Sequence, residues 1–271
     1  MSGALDPAAL RTVAEEAADG AAEELLRRRG AVHEVATKEN DSLVSDADEA
    51  AERLVLGVLR ERTPGFGIVS EEAGADVVEG APCWIVDPLD GTTNYLRGLP
   101  DYAVALALVV EGRTVLSHVV LPESGARFTA LAGQGAYRDG RRISVTRQAP
   151  GRSLTGTGFG TAGVVREAQR SVADSLLRGG FEIREPGSAS VGLCRTACGS
   201  YDGYLEFGIE VWDTAPGALL VEEAGGTVTG WGGAPFDAWT GDLVAAAPAV
   251  HARLVEAGGA RPPVPVTGGA V

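Results

Sequence analysis

The stretch from Cys83 to Pro100 constrains this chain most, because it joins an apolar run, an acidic bend and a group of small polar residues. Cys83 to Val86 suits a buried strand, and the chain then turns at once into Asp87, Pro88, Leu89, Asp90 and Gly91. Asp87 and Asp90 lie three apart with Pro88 stiffening the bend. Both carboxylates can therefore face one point, as hard oxygen ligands for Mg2+ would need. Thr92, Thr93 and Asn94 then open a predicted helix, whose free backbone N–H groups favour a phosphate beside that metal. Strand, acidic turn and helix start together point to phosphate hydrolysis.

A chain of 271 residues has ample core for one large domain or two joined lobes. With 45% hydrophobic and 22% charged residues it reads as an ordinary globule. A net charge of −14 argues against a nucleic-acid surface, which generally shows a basic face. The same acidity is awkward for binding a phosphate ester unless bound cations reverse the local field. Cys83, Cys194 and Cys198 are too few and irregular for a disulfide framework, no apolar run spans a bilayer, and Met1 to Glu16 lacks a signal-peptide pattern. A cytoplasmic location without membrane contact is the expectation.

In order, Asp6-Pro7 opens a helix that continues through Leu10, Val13, Ala17, Ala21 and Leu25 to Gly30. A polar link, His33 to Ser42, carries Lys38 to a second helix start, where Ser45 and Asp48 resemble a capping pair. Phe66 to Ser70 is a short strand ending in Glu71-Glu72. After the central stretch, Tyr102 to Val110, Thr114 to Val120, Arg127 to Leu131 and Ala136 to Tyr137 predict an antiparallel meander. Beyond Gln148 to Gly151 strands and helices alternate: strands Ser153 to Thr157, Phe181 to Glu185 and Gly203 to Phe207, helices Val164 to Leu177 and Ser188 to Cys198. A helix from Trp212-Asp213 to Gly225-Gly226, strands near Thr227 and Leu243 and a last helix, Ala249 to Glu256, follow. The fold class expected is mixed layered α/β, with residues 1–150 as an N-terminal α+β half, 151–257 as a C-terminal α/β half and 258–271 as a loose tail.

Glu71, Asp87, Asp90 and Asp213 thus each follow a strand. A solvated turn or a helix cap explains any one of them, but four hard carboxylates are what a two-metal phosphatase uses to clamp attacking and leaving oxygens. Glu71-Glu72, Asp87-Pro88-Leu89-Asp90-Gly91-Thr92-Thr93-Asn94 and Trp212-Asp213, with Glu222, Ala224, Gly225 and Gly226 behind them, resemble the signatures of the inositol monophosphatase family. The resemblance runs from Lys38 to about Gly226. It implies a layered α-β-α-β-α sugar-phosphatase fold and a lithium-sensitive, Mg2+-dependent phosphomonoesterase that forms homodimers.

Residue by residue, the resemblance gives Glu71, Asp87 and the Leu89 carbonyl to one Mg2+ site and Asp87, Asp90 and Asp213 to a second. Glu71 also touches a third, weaker ion. Thr92 with Asp48 orients the attacking water, and a helix cap is the other reading of Asp48. Gly91, Thr92 and Thr93 offer N–H groups to phosphate. Glu206 and Asp90 accept substrate hydroxyls, Gly187, Ser188 and Ala189 line the pocket, and Glu206 has the alternative of an edge-strand surface acid. Lys38 faces the outer metal or phosphate, or is a solvated loop lysine. Cys194 and Cys198 share a helical face and read as core or pocket lining. Inositol monophosphate or a similar polyol phosphate is the expected substrate. Fructose-1,6-bisphosphate, 3'-phosphoadenosine-type nucleotides and histidinol phosphate are rivals within the superfamily. Relatives of this family also bind transcription machinery, so a non-catalytic interaction module is the alternative from another class.

Overall fold

A computed structural model of the chain describes residues 6–31, 33–38, 42–146, 152–160 and 163–259. The expected join at Gln148 to Gly151 and the tail beyond Gly259 lie outside the described residues. The first half runs α1 (Pro7–Arg28), β1 (Val35–Thr37), β2 (Leu43–Ser45), α2 (Asp46–Arg62), β3 (Gly67–Ser70), β4 (Gly74–Asp76), β5 (Cys83–Asp90) and α3 (Thr92–Leu96). It continues with β6 (Ala103–Val110), β7 (Arg113–Leu121), β8 (Ala126–Leu131), β9 (Gly135–Arg138) and β10 (Arg141–Arg142). The second half holds β11 (Leu154–Thr157), α4 (Gly163–Arg178), β12 (Glu182–Arg184), α5 (Ala189–Ala197), β13 (Gly203–Phe207), α6 (Val211–Glu223), β14 (Thr227–Thr229), β15 (Asp242–Ala246) and α7 (Pro248–Gly258).

Two sheets carry the fold, an eight-stranded one in the order β10-β9-β8-β7-β6-β5-β3-β4 and a five-stranded one in the order β12-β11-β13-β15-β14. The alternation along β6 explains how helices cover both faces of the larger sheet. Val104, Leu106 and Leu108 point to the core under α1 and α2, while Ala103 and Ala105 point to the core shared with α5 and α6. Small side chains on that second face let α6 approach closely. Gly217 on α6 is needed for a like reason, since a Cβ there would stand 2.3 Å from Leu193 Cδ1 on α5. The far face of the smaller sheet is covered by α4 and α7 through Leu176, Leu205, Phe207, Val244 and Leu254. The layers are therefore α-β-α-β-α, the mixed architecture expected.

Local differences from the sequence reading have physical causes. The strand at Cys83 does not stop at Val86 but runs to Asp90, with the pairing to β6 slipping between Asp87 and Asp90. The acids thus sit in a bulge of a central strand rather than in a turn beyond it. The polar link around Lys38 contains the small β1–β2 hairpin, antiparallel with Val35 opposite Ser45. Its strands are short and largely exposed, so they carry little hydrophobic periodicity. The short edge strand β4 pairs antiparallel to β3 and was likewise without a pattern.

Candidate active site

The bulge in β5 turns two side chains of one strand to the same side. Asp87 and Asp90 are buried, at 1% and 7% exposure, and with Asp213 at the start of α6 their carboxylate oxygens lie within 4.8 Å of one another. Backbone donors orient each acid: Leu89 N bonds Asp87 Oδ1 at 3.0 Å, Ser190 N bonds Asp90 Oδ2 at 2.6 Å, and Glu210 N bonds Asp213 Oδ2 at 2.8 Å. One oxygen of each is so held by a backbone N–H. Among the described residues none of the three has a lysine or arginine partner.

Burial raises Asp87 well above the ordinary carboxylate range, and the charges of Glu71, Asp90 and Asp213 add to it. Asp213 is raised by loss of solvent around its carboxyl and by Asp90 and Glu71. Asp90 is raised by burial, against which the Ser190 hydrogen bonds work. Glu71, which lies against Asp87, is raised by burial against the charge of Lys38. Asp87, Asp90 and Asp213, packed this closely and without a lysine or arginine partner among the described residues, match the preference of Mg2+ for carboxylates and carbonyls.

Glu71 is presented by a turn built around a residue the sequence reading did not single out. Buried Glu52 on α2 accepts from Ser70 Oγ at 2.5 Å, Ala73 N at 2.8 Å and Glu72 N at 3.2 Å, which fixes the loop after β3. Lys38 is not a solvated loop lysine. Its Nζ lies 2.7 Å from Glu71 Oε1 and 2.5 Å from Glu72 Oε1. Burial alone would lower the Lys38 pKa, but the charges of Glu71 and Glu72 overcome it and hold the group above its usual value.

Asp48 uses its two oxygens for different partners. Oδ2 accepts from Ser45 N at 2.8 Å and Ser45 Oγ at 2.6 Å, closing the capping box of α2, while Oδ1 accepts the Thr92 hydroxyl at 2.7 Å. Thr92 Oγ1 also lies 3.3 Å from the Leu89 carbonyl, which ties the pair to the aspartate bulge. Gly91 precedes Thr92 with φ of 101°, a conformation that L side chains resist, and a Cβ there would meet the Asp101 carbonyl at 3.0 Å.

A profile of the inositol monophosphatase family matches residues 6–259. The chain belongs to the inositol monophosphatase family. It is 36% identical over 226 residues to "Nus factor SuhB" of Pasteurella multocida, an alignment covering 80% of this chain and 83% of that one. Among solved structures it is similar to the extragenic suppressor protein suhB of Bartonella henselae, with TM-score 0.88, 31% identity and coverage of 93% of this chain and 98% of the other. The inositol monophosphatase of Anabaena (Nostoc) superposes with TM-score 0.78 at 31% identity, covering 91% and 93% of the two chains.

The cavity beside the acids in this family member measures about 800 Å3 and is lined by Asp90, Thr93, Gly187, Ser188, Glu206 and Asp213, among others. Both halves of the chain contribute to it. Asn94 stitches them together, donating from Nδ2 to the Asp101 carbonyl at 2.6 Å and to the Pro186 carbonyl at 2.8 Å. Ser188 caps α5 by accepting from Val191 N at 3.2 Å, which sets the loop of Gly187, Ser188 and Ala189 against Asp90. Glu206 is not an edge-strand surface acid: β13 is the middle strand of its sheet, and the residue is buried at 7% exposure. Burial, with the charges of Asp90 and Glu185, pushes its pKa up to about 7 against the Tyr204 hydrogen bond. Phe159, Arg166, Glu185 and Tyr204 also line the cavity and carried no motif; only the alternation in Tyr204-Leu205-Glu206 hinted that two of the lining groups share a face. Cys194 is buried in the core between the sheets. No helix among the described residues is long and apolar enough to cross a membrane.

Proposed function

We propose that this protein is a Mg2+-dependent phosphomonoesterase acting on inositol monophosphate or a similar small polyol phosphate. The observation that carries the reading is the convergence of Asp87, Asp90 and Asp213 within 4.8 Å, the first two buried and Asp213 half-buried, with no lysine or arginine paired to them among the described residues. Asp87, Asp90, Asp213, Glu71 and the Leu89 carbonyl would hold two or three Mg2+ ions. When bound there, Mg2+ supplies the charge that neutralises phosphate oxygens and makes water a stronger acid.

This chain's own groups supply the rest. Thr92, donating its hydroxyl proton to Asp48 Oδ1, keeps its oxygen lone pairs free to accept a proton from the attacking water. Burial makes Asp48 more basic than an exposed aspartate, so it can take the proton that Thr92 passes on, while Ser45 keeps it in place. The N–H groups of Gly91, Thr92 and Thr93 are directed to phosphate oxygens, and Asp90 and Glu206 accept substrate hydroxyls. Gly187, Ser188 and Ala189 form the wall of the pocket. Li+ would block the site by competing for the aspartates, and the family resemblance supports a homodimer. A net charge of −14 supports a small substrate brought in with cations rather than a nucleic-acid partner.

The name "Nus factor SuhB" carried by relatives supports a second reading, in which the fold serves as an interaction module. Phosphate release separates the two. Purified protein with Mg2+ should release phosphate from inositol monophosphates faster than from fructose-1,6-bisphosphate, 3'-phosphoadenosine-type nucleotides or histidinol phosphate, and EDTA should abolish release. No release from any member of this panel would overturn the enzyme reading in favour of the module.

A further inference from the structure

The most enclosed polar pair in the cavity wall is Tyr204 with Glu206, two residues apart on β13 and therefore on one face of it. The Tyr204 hydroxyl donates to Glu206 Oε2. That uses one oxygen of the carboxylate and leaves Oε1, which lies over Gly158 at the cavity wall.

Three glycines make room for this arrangement. A Cβ on Gly192 of α5 would stand 2.3 Å from the Tyr204 ring, and a Cβ on Gly156 of β11 would stand 2.6 Å from it. A Cβ on Gly158 would stand 1.9 Å from Glu206 Oε1. The Cδ2–Cε2 edge of the ring is thus flanked by backbone that only glycine allows to come so close, and the carboxylate fills the space beside the third. The ring is 1% exposed.

Electrostatics give the contact its purpose. Glu206 feels the like charges of Asp90 and Glu185, which favour turning the carboxylate away from the acids and toward water. The phenol opposes this, and because burial and the neighbouring Glu206 push the Tyr204 pKa well up, it stays protonated as a donor. Leu205 and Phe207 belong to the core on the other face of β13, so among their neighbours only Tyr204 and Glu206 face the cavity side.

We infer that Tyr204 is a positioning residue for substrate selection: its hydroxyl, in the slot left by Gly156, Gly158 and Gly192, holds Glu206 aimed at a hydroxyl of the substrate's alcohol portion. The inference rests on the proposed reading of Glu206 as a hydroxyl acceptor, and it deepens that reading by tying polyol preference to a buried phenol. Substrates without free hydroxyls should be indifferent to the pair.

The test compares inositol 1-phosphate with p-nitrophenyl phosphate on the Mg2+-loaded protein. Tyr204→Phe should raise KM for inositol 1-phosphate about tenfold, the scale expected when a hydrogen bond to a charged group is lost, with kcat changed by less than about twofold. KM for p-nitrophenyl phosphate should move by less than about twofold. Gly158→Ala should produce the same selective loss by displacing the carboxylate directly, and it decides the matter if Tyr204→Phe does not fold. Equal losses on both substrates would mean that Tyr204 is only a packing residue, which overturns the inference. If Glu206→Gln lowers selectivity and neither Tyr204→Phe nor Gly158→Ala does, the inference falls while the acceptor reading stands. If Glu206→Gln leaves selectivity unchanged, or wild-type protein releases phosphate from neither substrate, the acceptor reading falls and takes the inference with it.

Discussion

Asp87→Asn keeps the shape of the side chain and removes a charge from the most crowded part of the site, so it should stabilise the cation-free fold while it disables turnover. Two unit charges 4.8 Å apart repel by roughly 3 kcal/mol at an effective dielectric of about 20. Asp87 takes part in such pairs with both Asp90 and Asp213 and feels Glu71 as well. Protonation relieves much of this, because the raised pKa values let the acids keep protons instead of charge; a net gain of about 1–2 kcal/mol remains for the asparagine. For a chain of this size that corresponds to about 3–6 °C in Tm.

The pH dependence has a definite sign. The folded pKa of Asp87 lies above the ordinary 3.8, so its contribution to stability is fully present below 3.8 and is lost as pH rises through the folded value. In EDTA the wild-type Tm should therefore fall on the alkaline side of that range, and Asp87→Asn should flatten the fall. Thermal unfolding in EDTA and in Mg2+, read against pH, tests both points. Mg2+ should raise the wild-type Tm and do little for the variant, whose phosphate release should fall on the order of a thousandfold. An asparagine variant no more stable than wild type in EDTA, or one stabilised equally by Mg2+, would refute the reasoning.

Other perturbations address separate parts of the molecule. Thr92→Ala removes the hydroxyl bonded to Asp48 and should lower kcat about a hundredfold with little change in KM, measured by steady-state phosphate release. Asn94→Ala breaks the link between the Asp101 and Pro186 carbonyls and should cost about 2 kcal/mol in urea unfolding, since one buried and one part-buried acceptor lose their donor. Buried His118 has its pKa lowered to about 4 from 6.5 by loss of solvent, so the unfolded chain binds a proton that the folded one does not. Stability should fall by roughly 3 kcal/mol as pH drops from about 6.5 to about 4. His118→Gln should flatten that acid limb, and an unchanged limb would exclude the histidine as its source.

The long elements were legible because their patterns report burial: the helical repeat from Leu10 to Leu25 and the alternation through Ala103 to Val110 mark faces that the core then covers. The central run at Cys83 predicts a strand but not where it ends. Asp87 and Asp90 interrupt the apolar pattern while the backbone continues in the sheet through a bulge. Exposed short strands such as Val35–Thr37 and Gly74–Asp76 gave no periodicity to read. Nor did Glu52, whose role depends on a turn that folds back onto α2 from residues 70–73.

Sequence alone determined which side chains could serve as hard oxygen donors, their order along the chain and the family to which their spacing belongs. It also marked the long helices and the buried strands, since apolar periodicity follows from the geometry of a single element. Tertiary structure alone decided that Asp213 on α6 comes within 4.8 Å of acids on β5, that Lys38 is bound to Glu71 and Glu72, and that Glu206 sits inside a central strand beneath Tyr204. Those facts depend on which elements pack together, with Asp213 more than a hundred positions from the β5 acids and Lys38 33 from Glu71, and a local pattern carries no information about which buried faces will meet.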